Sequence, residues 1–195
     1  MIGKPCPIPV VETKKALLQP GSEGVIVLVD NFIAVQNLEK MAKGLGYDFS
    51  FEQRSENEYG VTIPAKKSNG QHKTIQQPEP VAASGRVTFF ITADQLGISD
   101  EEPGKKLIKA FFYSLAESPV TPETILLVNT GVKLSAEGSE VLPDLKTLAA
   151  RGTKILSCGQ CLNYYGLTDK LAVGNITNML EIIGILSSSP RTVTV

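Results

Sequence analysis

The chain has no tryptophan, one histidine and three cysteines in 195 residues. So few cysteines, odd in number, argue against a disulfide framework and for a compartment that keeps thiols reduced, which predicts the cytoplasm. A charge excess of either sign is also missing, because 19 Lys and Arg face 20 Asp and Glu. Without a basic cluster to track phosphates, the chain is not expected to bind nucleic acid directly. Each apolar run is broken by a charge or a glycine before membrane-spanning length, so no membrane association is expected. Met1 leads almost directly into Gly3, Lys4, Pro5 and Cys6 with no apolar core region, which does not fit a signal peptide.

What is present is enough apolar residue, 42%, to build one ordinary domain or two small ones. A composition shift favours two. Residues 66–85, "KKSNGQHKTIQQPEPVAASG", have almost no apolar content and are rich in Gln, Pro, Ser and Gly. That is the make-up of a solvated linker, which predicts domains over 1–64 and 86–195 with a flexible linker over 65–85. The single histidine, His72, lies in this tract and receives no catalytic role.

The first part reads α-β-α-β-β. A helix is predicted over Val10 to Leu18, a β-branched strand over Val25 to Val29, and a second helix on which Ala34, Leu38, Met41 and Leu45 recur before Gly46. Strands are predicted over Tyr47 to Glu52 and Tyr59 to Ile63, joined by "QRSENE". This order gives two helices on one small sheet, short of an edge strand because the chain starts at the helix cap.

Strand and helix alternate in the second part. Strands are expected at Val87 to Ile91, Ile125 to Val128, Lys154 to Ser157, Leu171 to Val173 and Thr192 to Val195. Helices are marked by Leu107, Phe111, Ser114 and Leu115, by Leu142, Leu145, Leu148 and Ala149, and by residues 178–186. Such alternation predicts a mostly parallel sheet covered by helices on both faces. Ligands of such sheets sit beyond the carboxyl ends of the strands, where "VNTGVK" at 128–133 and "SCGQC" at 157–161 fall.

Cys6 stands between Pro5 and Pro7 where the first helical pattern begins. With Cys6 as N-cap, Pro7 takes the first helical position and Pro9 lies in the first turn, where neither costs an intrahelical bond. The N–H groups of Ile8 and Val10 are then expected to face the sulfur, on a stiff mount at the positive end of a helix, with Lys4, Lys14 and Lys15 adding charge. The competing reading is a buried structural cysteine.

Cys158 and Cys161 form a C-x-x-C at a strand-to-helix turn. Zinc needs about four ligands, which these thiols and a linker histidine do not supply. A redox dithiol, a sulfur carrier using Cys158 or Cys161, and a chance structural pair all remain open. Gly159 is expected to let a substrate approach the backbone. Asn129, Thr130 and Lys133 in one loop, and Asn163 and Tyr164 after the dithiol, are candidates to hold an anionic group. Asp94, Gln95, Gly97 and Asp100 mark the loop after the first strand of this part. Asn175 and Asn178 read as turn and cap residues.

"CPIPVVETKKAL", a C-P-x-P signature followed by T-K-K-A-L, resembles the TusA/SirA-like family of small sulfur carriers over residues 2–63. "ADQLGIS", "VNTGVKL", "ILSCGQCLNYYGL" and "VGNITNM" together resemble the DsrE-like domain of YedF-type proteins, described as sulfurtransferase-like selenium metabolism proteins. The fusion resembles YedF-type chains over nearly its whole length. The resemblance implies a two-layer α/β sandwich followed by a Rossmann-like three-layer α/β/α domain. It implies that Cys6 accepts sulfane sulfur as a persulfide from a cysteine desulfurase or other donor and passes it to a partner's cysteine, and that Cys158 or Cys161 receives it in turn. No metal or organic cofactor is needed for such transfer. DsrE-like domains assemble through their helices, so a homo-oligomer is expected. A linker of this length spans about 25 Å as a random coil, which supports transfer within one chain. The alternative is a regulatory module that docks a partner and uses its cysteines to sense oxidation.

Overall fold

A computed structural model describes residues 1–65, 87–97 and 101–195. It divides into two compact units, Met1–Glu79 and Pro80–Val195. Apart from Ala65, the expected linker lies outside the described residues, as do His72 and Asp100.

The first unit runs α1 (Ile8–Leu18), β1 (Gly24–Val29), α2 (Phe32–Gly44), β2 (Ser50–Ser55) and β3 (Glu58–Pro64). The sheet is antiparallel in the order β1-β3-β2, with Val27 opposite Val61 and Phe51 opposite the same residue on the other side. Side chains alternate across a strand, so Val27 and Val29 turn inward while Ile26 remains 71% exposed. Both helices contact each other and the sheet, giving two layers around Leu17, Val29, Val35, Leu38, Ala42, Val61 and Ile63. The inward face of α2 centres on Val35, Leu38 and Ala42, with Ala34 and Met41 at its flank. The 4-3-4 spacing placed that face one position off. The β2–β3 turn is shorter than predicted, because Gln53, Arg54 and Ser55 belong to β2 and only Glu56 and Asn57 make the turn. All of β2 is exposed, so no burial pattern marked it in the sequence.

The second unit contains β4 (Val87–Ile91), α3 (Glu101–Glu117), β5 (Thr124–Leu127), a 3₁₀ turn over Asn129–Ser135, α4 (Leu142–Ala150) and β6 (Lys154–Cys158). It continues with α5 (Gly159–Tyr164), a second 3₁₀ turn at Thr168–Lys170, β7 (Asn175–Thr177), α6 (Met179–Ser188) and β8 (Arg191–Thr194). All five strands are parallel, in the order β7-β6-β5-β4-β8. From β4 the chain steps outward through β5 and β6 to β7, then returns across the sheet to β8. Right-handed crossovers put the outward helices on one face and α6 on the other, which is the Rossmann-like three-layer arrangement. The central strand β5 is buried along its length, as a sheet covered on both faces requires.

Three expectations are corrected here. The strand predicted at Leu171 to Val173 is absent: Leu171 makes one isolated bridge to Ala136, and β7 begins at Asn175. Asn175 is therefore a strand residue, whereas Asn178 does cap α6 by accepting from the Glu181 N–H. On α3 the buried face is Ile108, Phe112 and Leu115, with Leu107 half exposed, so the apolar stripe was read one residue early.

Candidate functional sites

Cys6 is exposed, one residue before Pro7, which is itself the N-cap of α1. The predicted cap position is thus off by one, and the difference matters. The Ile8 N–H donates to the Pro5 carbonyl and the Val10 N–H to the Pro7 carbonyl, at 3.0 Å each, so neither donor faces the sulfur. The contact to Cys6 Sγ comes instead from the Asn37 side chain on α2, whose Nδ2 donates at 3.8 Å. Lys4, Cys6, Pro9, Val10, Asn31, Ile33, Ala34 and Asn37 line a shallow cleft of about 30 Å³ between the heads of the two helices.

The mount is stiff for reasons visible in the bonding. Pro9 sits in the first turn and is buried, and the buried Thr13 hydroxyl donates to its carbonyl at 2.6 Å. The threonine of the T-K-K-A-L run therefore ties down the second proline of C-P-x-P. On the other side, the Gly3 N–H donates to Asp30 Oδ2 at 2.6 Å, fastening the leading segment to the loop before α2. Those bonds from Gly3 and from Asn31 hold the Asp30 carboxyl below its usual value. Asn31 caps α2 by accepting from the Ala34 N–H at 2.8 Å. Lys4 does line the cleft, but Lys14 and Lys15 start about 9 Å along the helix from its head. Lys15 pairs with Glu12 at 3.3 Å.

The second site lies at the carboxyl ends of β5 and β6. Cys158 ends β6, 3% exposed and part of the core, while Cys161 is partly exposed one turn on. The two thiols flank the β6–α5 turn, Cys158 ending the strand and Cys161 standing in the first turn of the helix. The Asn129 backbone N–H donates to Cys161 Sγ at 3.2 Å, from a residue at φ 51° just beyond β5. Tyr165 Oη donates to Asn129 Oδ1 at 3.1 Å and holds that turn in place. Lys133 lies 4.9 Å above the Tyr165 ring and 3.7 Å from Asp94. Burial pushes the Cys161 thiol above its ordinary value, the neighbouring Cys158 adds to this, and the Asn129 N–H pulls the other way.

Two glycines in this region are fixed by packing. A Cβ on Gly159 would lie 2.8 Å from Ile176 Cγ2, so the close approach of β7 calls for glycine here. A Cβ on Gly131 would lie 2.7 Å from the Ile91 carbonyl oxygen, which lets the 3₁₀ turn settle on the end of β4. Below the site, the buried hydroxyls of Ser135 and Ser157 pair at 2.8 Å and link that turn to β6.

The sequence had gathered Cys158, Cys161, Asn129, Thr130, Lys133 and Asp94, and the structure brings them to one end of the sheet. Thr130 Oγ1 accepts from the Asp94 N–H at 3.2 Å, which explains its place as a loop tie. Asn163 and Tyr164 are exposed, Tyr164 meeting the site only through an edge-to-face contact with the ring of Tyr165, the residue that takes part. Asn37, Asp30 and Tyr165 were all missed. Only the Asp30–Asn31 pair before an apolar run carried a signal, that of a helix cap. A cavity of about 390 Å³ beside Asp94 and Lys133 is lined by Lys105, Lys109, Glu137 and Glu140 but by neither cysteine. Its lysines face carboxylates: Lys105 that of Glu101, and Lys109 that of Glu140 at 2.6 Å. Among the described residues, no three His, Cys, Asp or Glu side chains group to hold a metal ion, and no helix is long and apolar enough to cross a membrane.

Comparison with known proteins bears on the first unit most directly. Residues 1–64 match the family model described as "Sulfurtransferase TusA". A SirA-like protein from Desulfitobacterium hafniense is 46% identical, over 34% of this chain and 92% of its own, with a TM-score of 0.31. The YchN protein from E. coli aligns at 13% identity, covering 56% of this chain and 99% of its own, TM-score 0.45. A protein of unknown function from Methanobacterium thermoautotrophicum aligns at 20% identity over 56% of this chain and 98% of its own, TM-score 0.42. No curated protein matches the chain.

Proposed function

The chain belongs to the TusA/SirA-like family through residues 1–64, a family of sulfur carriers that take sulfur from a donor and pass it to acceptor proteins, and from that premise we propose that this one carries sulfur as a persulfide on Cys6. The observation that carries the reading is the exposed Cys6 of C-P-I-P, lining a small cleft with residues of both helices. Its thiolate attacks the terminal sulfur of a donor persulfide, the donor's S–S bond breaks, and the donor leaves as a thiol. A cysteine desulfurase is the proposed donor. The shallow cleft leaves the adduct reachable by the thiol of a docked acceptor, and selenium in place of sulfur follows the same course.

Residues 86–195 are proposed as a DsrE-like domain, joined to the first through 65–85 as in YedF-type fusions, and the Cys158–Cys161 pair as the acceptor of sulfur from Cys6. The cytoplasm, where thiols stay reduced, is the proposed setting. Exposed Tyr164, Ile176, Met179, Leu180 and Ile183 support association of the second domain with a further copy.

The test is intact-protein mass spectrometry after incubation with a cysteine desulfurase and cysteine, on the native chain and on the three single Cys→Ser variants. A reducible one-sulfur adduct that disappears in Cys6→Ser is the expected outcome. No adduct on the native chain overturns the carrier reading. Sulfur reaching Cys158 or Cys161 at an unchanged rate in Cys6→Ser overturns the relay alone.

A further inference from the structure

The pair in the second domain is arranged unequally. Cys161 is partly exposed and reachable from outside, whereas Cys158 is 3% exposed and part of the core. A shared carrier site would not need the buried thiol. We propose that Cys161 takes the sulfane sulfur and that Cys158, behind it, displaces that sulfur as hydrogen sulfide while closing a Cys158–Cys161 disulfide. The proposal rests on the reading of this domain as a sulfur acceptor and assigns the fate of the sulfur there.

The chemistry balances without an added oxidant. The Cys161 thiolate bonds to the outer sulfur of a donor persulfide, the donor S–S bond breaks, and the donor leaves as a thiol with the proton Cys161 gave up. Cys158 then bonds to Cys161 Sγ, the bond from Sγ to the outer sulfur breaks, and that sulfur leaves as hydrogen sulfide carrying its own proton and the one from Cys158. Two thiols are oxidised to a disulfide, and the sulfane sulfur accepts the two electrons. A small thiol reductant such as glutathione resets the pair.

Geometry supports each step. The Asn129 N–H at 3.2 Å fixes Cys161 Sγ and stabilises negative charge on it. Cys158 is the N-cap of the helix that carries Cys161 in its first turn, the C-x-x-C placement at which two thiols can close a disulfide. Beside burial, Cys158 raises the Cys161 thiol, as a close neighbour does. The order of events follows from access: a donor cannot load Cys158 first. Ionisable groups about the site, among the described residues, include Cys158 on β6, Tyr165 after α5, and Lys133 and Asp94 beyond the tyrosine ring.

The experiment uses the full chain carrying Cys6→Ser, so that the first domain takes no part. It is exposed briefly to glutathione persulfide, freed of excess donor, and followed by a sulfide electrode and intact mass. The expected result is one equivalent of sulfide and a chain lighter than the reduced form by two hydrogens. Adding Cys158→Ser leaves the sulfur adduct on Cys161 about tenfold longer or more, because the internal nucleophile is gone. Cys158→Ala, which suits an apolar site, gives the same result and guards against a folding defect of the serine variant. Adding Cys161→Ser gives neither adduct nor sulfide. An adduct first seen on Cys158, a stable adduct on the chain with both thiols, or equal release without Cys158 overturns the proposal. Finding neither sulfide from the Cys6→Ser chain nor an adduct once Cys158 is also replaced likewise overturns it, while leaving desulfurase loading of Cys6 untouched.

Discussion

The two thiol sites solve opposite problems with similar means. Cys6 stands on the surface before α1, its mount fixed by Pro9, Thr13 and the Gly3–Asp30 bond, and little covers the sulfur itself. Cys161 is held at the sulfur, by a backbone donor from β5's end, and backed by a buried second thiol. An exposed sulfur suits a carrier that must hand its adduct to another protein's thiol. A recessed pair suits a site where the adduct meets an internal partner before an external one. Stiffness belongs to the mount in one case and to the sulfur's own bonding in the other.

That contrast is broken most decisively by alkylation of the native chain. Iodoacetamide, followed by peptide mass spectrometry, should modify Cys6 first and Cys161 later. Cys158 should lag by about a hundredfold or more, since reaching it requires an opening of the core that costs about 3 kcal/mol. Rapid modification of Cys158 in the folded chain would remove the difference between the sites.

Next in size is the separation of the cores that carry them. Phe112 is fully buried, and Phe112→Ala should cost the second unit about 3–5 kcal/mol. Denaturation followed by hydrogen exchange should show that loss in β4, β5 and β6, with α1, α2 and the Cys6 alkylation rate unchanged. A parallel loss in the first unit would show that the two sites share one folding unit.

A smaller effect is expected from Tyr165→Phe, which keeps the ring under Lys133 and removes the donor to Asn129. Loading of Cys161 by glutathione persulfide should slow several-fold, on the scale of one neutral hydrogen bond of about 1 kcal/mol, with sulfide release per loaded chain unchanged. The alkylation profile of Cys161 should also move to higher pH, because the Asn129 N–H opposes the upward push of burial. An unmoved profile would leave Tyr165 a packing residue only.

What the sequence made legible follows from which forces it encodes locally. The α-β-α-β-β order and the strand-helix alternation were readable, because apolar spacing and glycine or proline punctuation are local. The placement of "SCGQC" and "VNTGVK" at strand ends was readable for the same reason. Partners across elements were not. Asn37 reaches Cys6 from another helix, Tyr165 reaches Asn129 across 36 positions, and neither spacing has a local signature. Off-by-one faces, as at Leu107 against Ile108, arise where apolar residues adjoin and the sheet, not the helix, decides which turns inward.

The smallest effect concerns the tether of the first site. The Asp30 carboxyl is held below its usual value chiefly by the Gly3 N–H, with Asn31 second. A carboxylate with a lowered folded value contributes fully above the ordinary carboxylate range and loses its contribution as pH falls through that lowered value. Acidification should therefore release the leading segment before either core melts, visible as faster exchange of the Gly3 amide and a changed Cys6 environment in NMR spectra. Asp30→Asn should weaken the same bond at neutral pH and flatten the acid response. If Gly3 exchange in the native chain ignores pH through the acid range, the tether does not set the position of Cys6. The stiffness of the first site then comes from Pro9 and Thr13 alone.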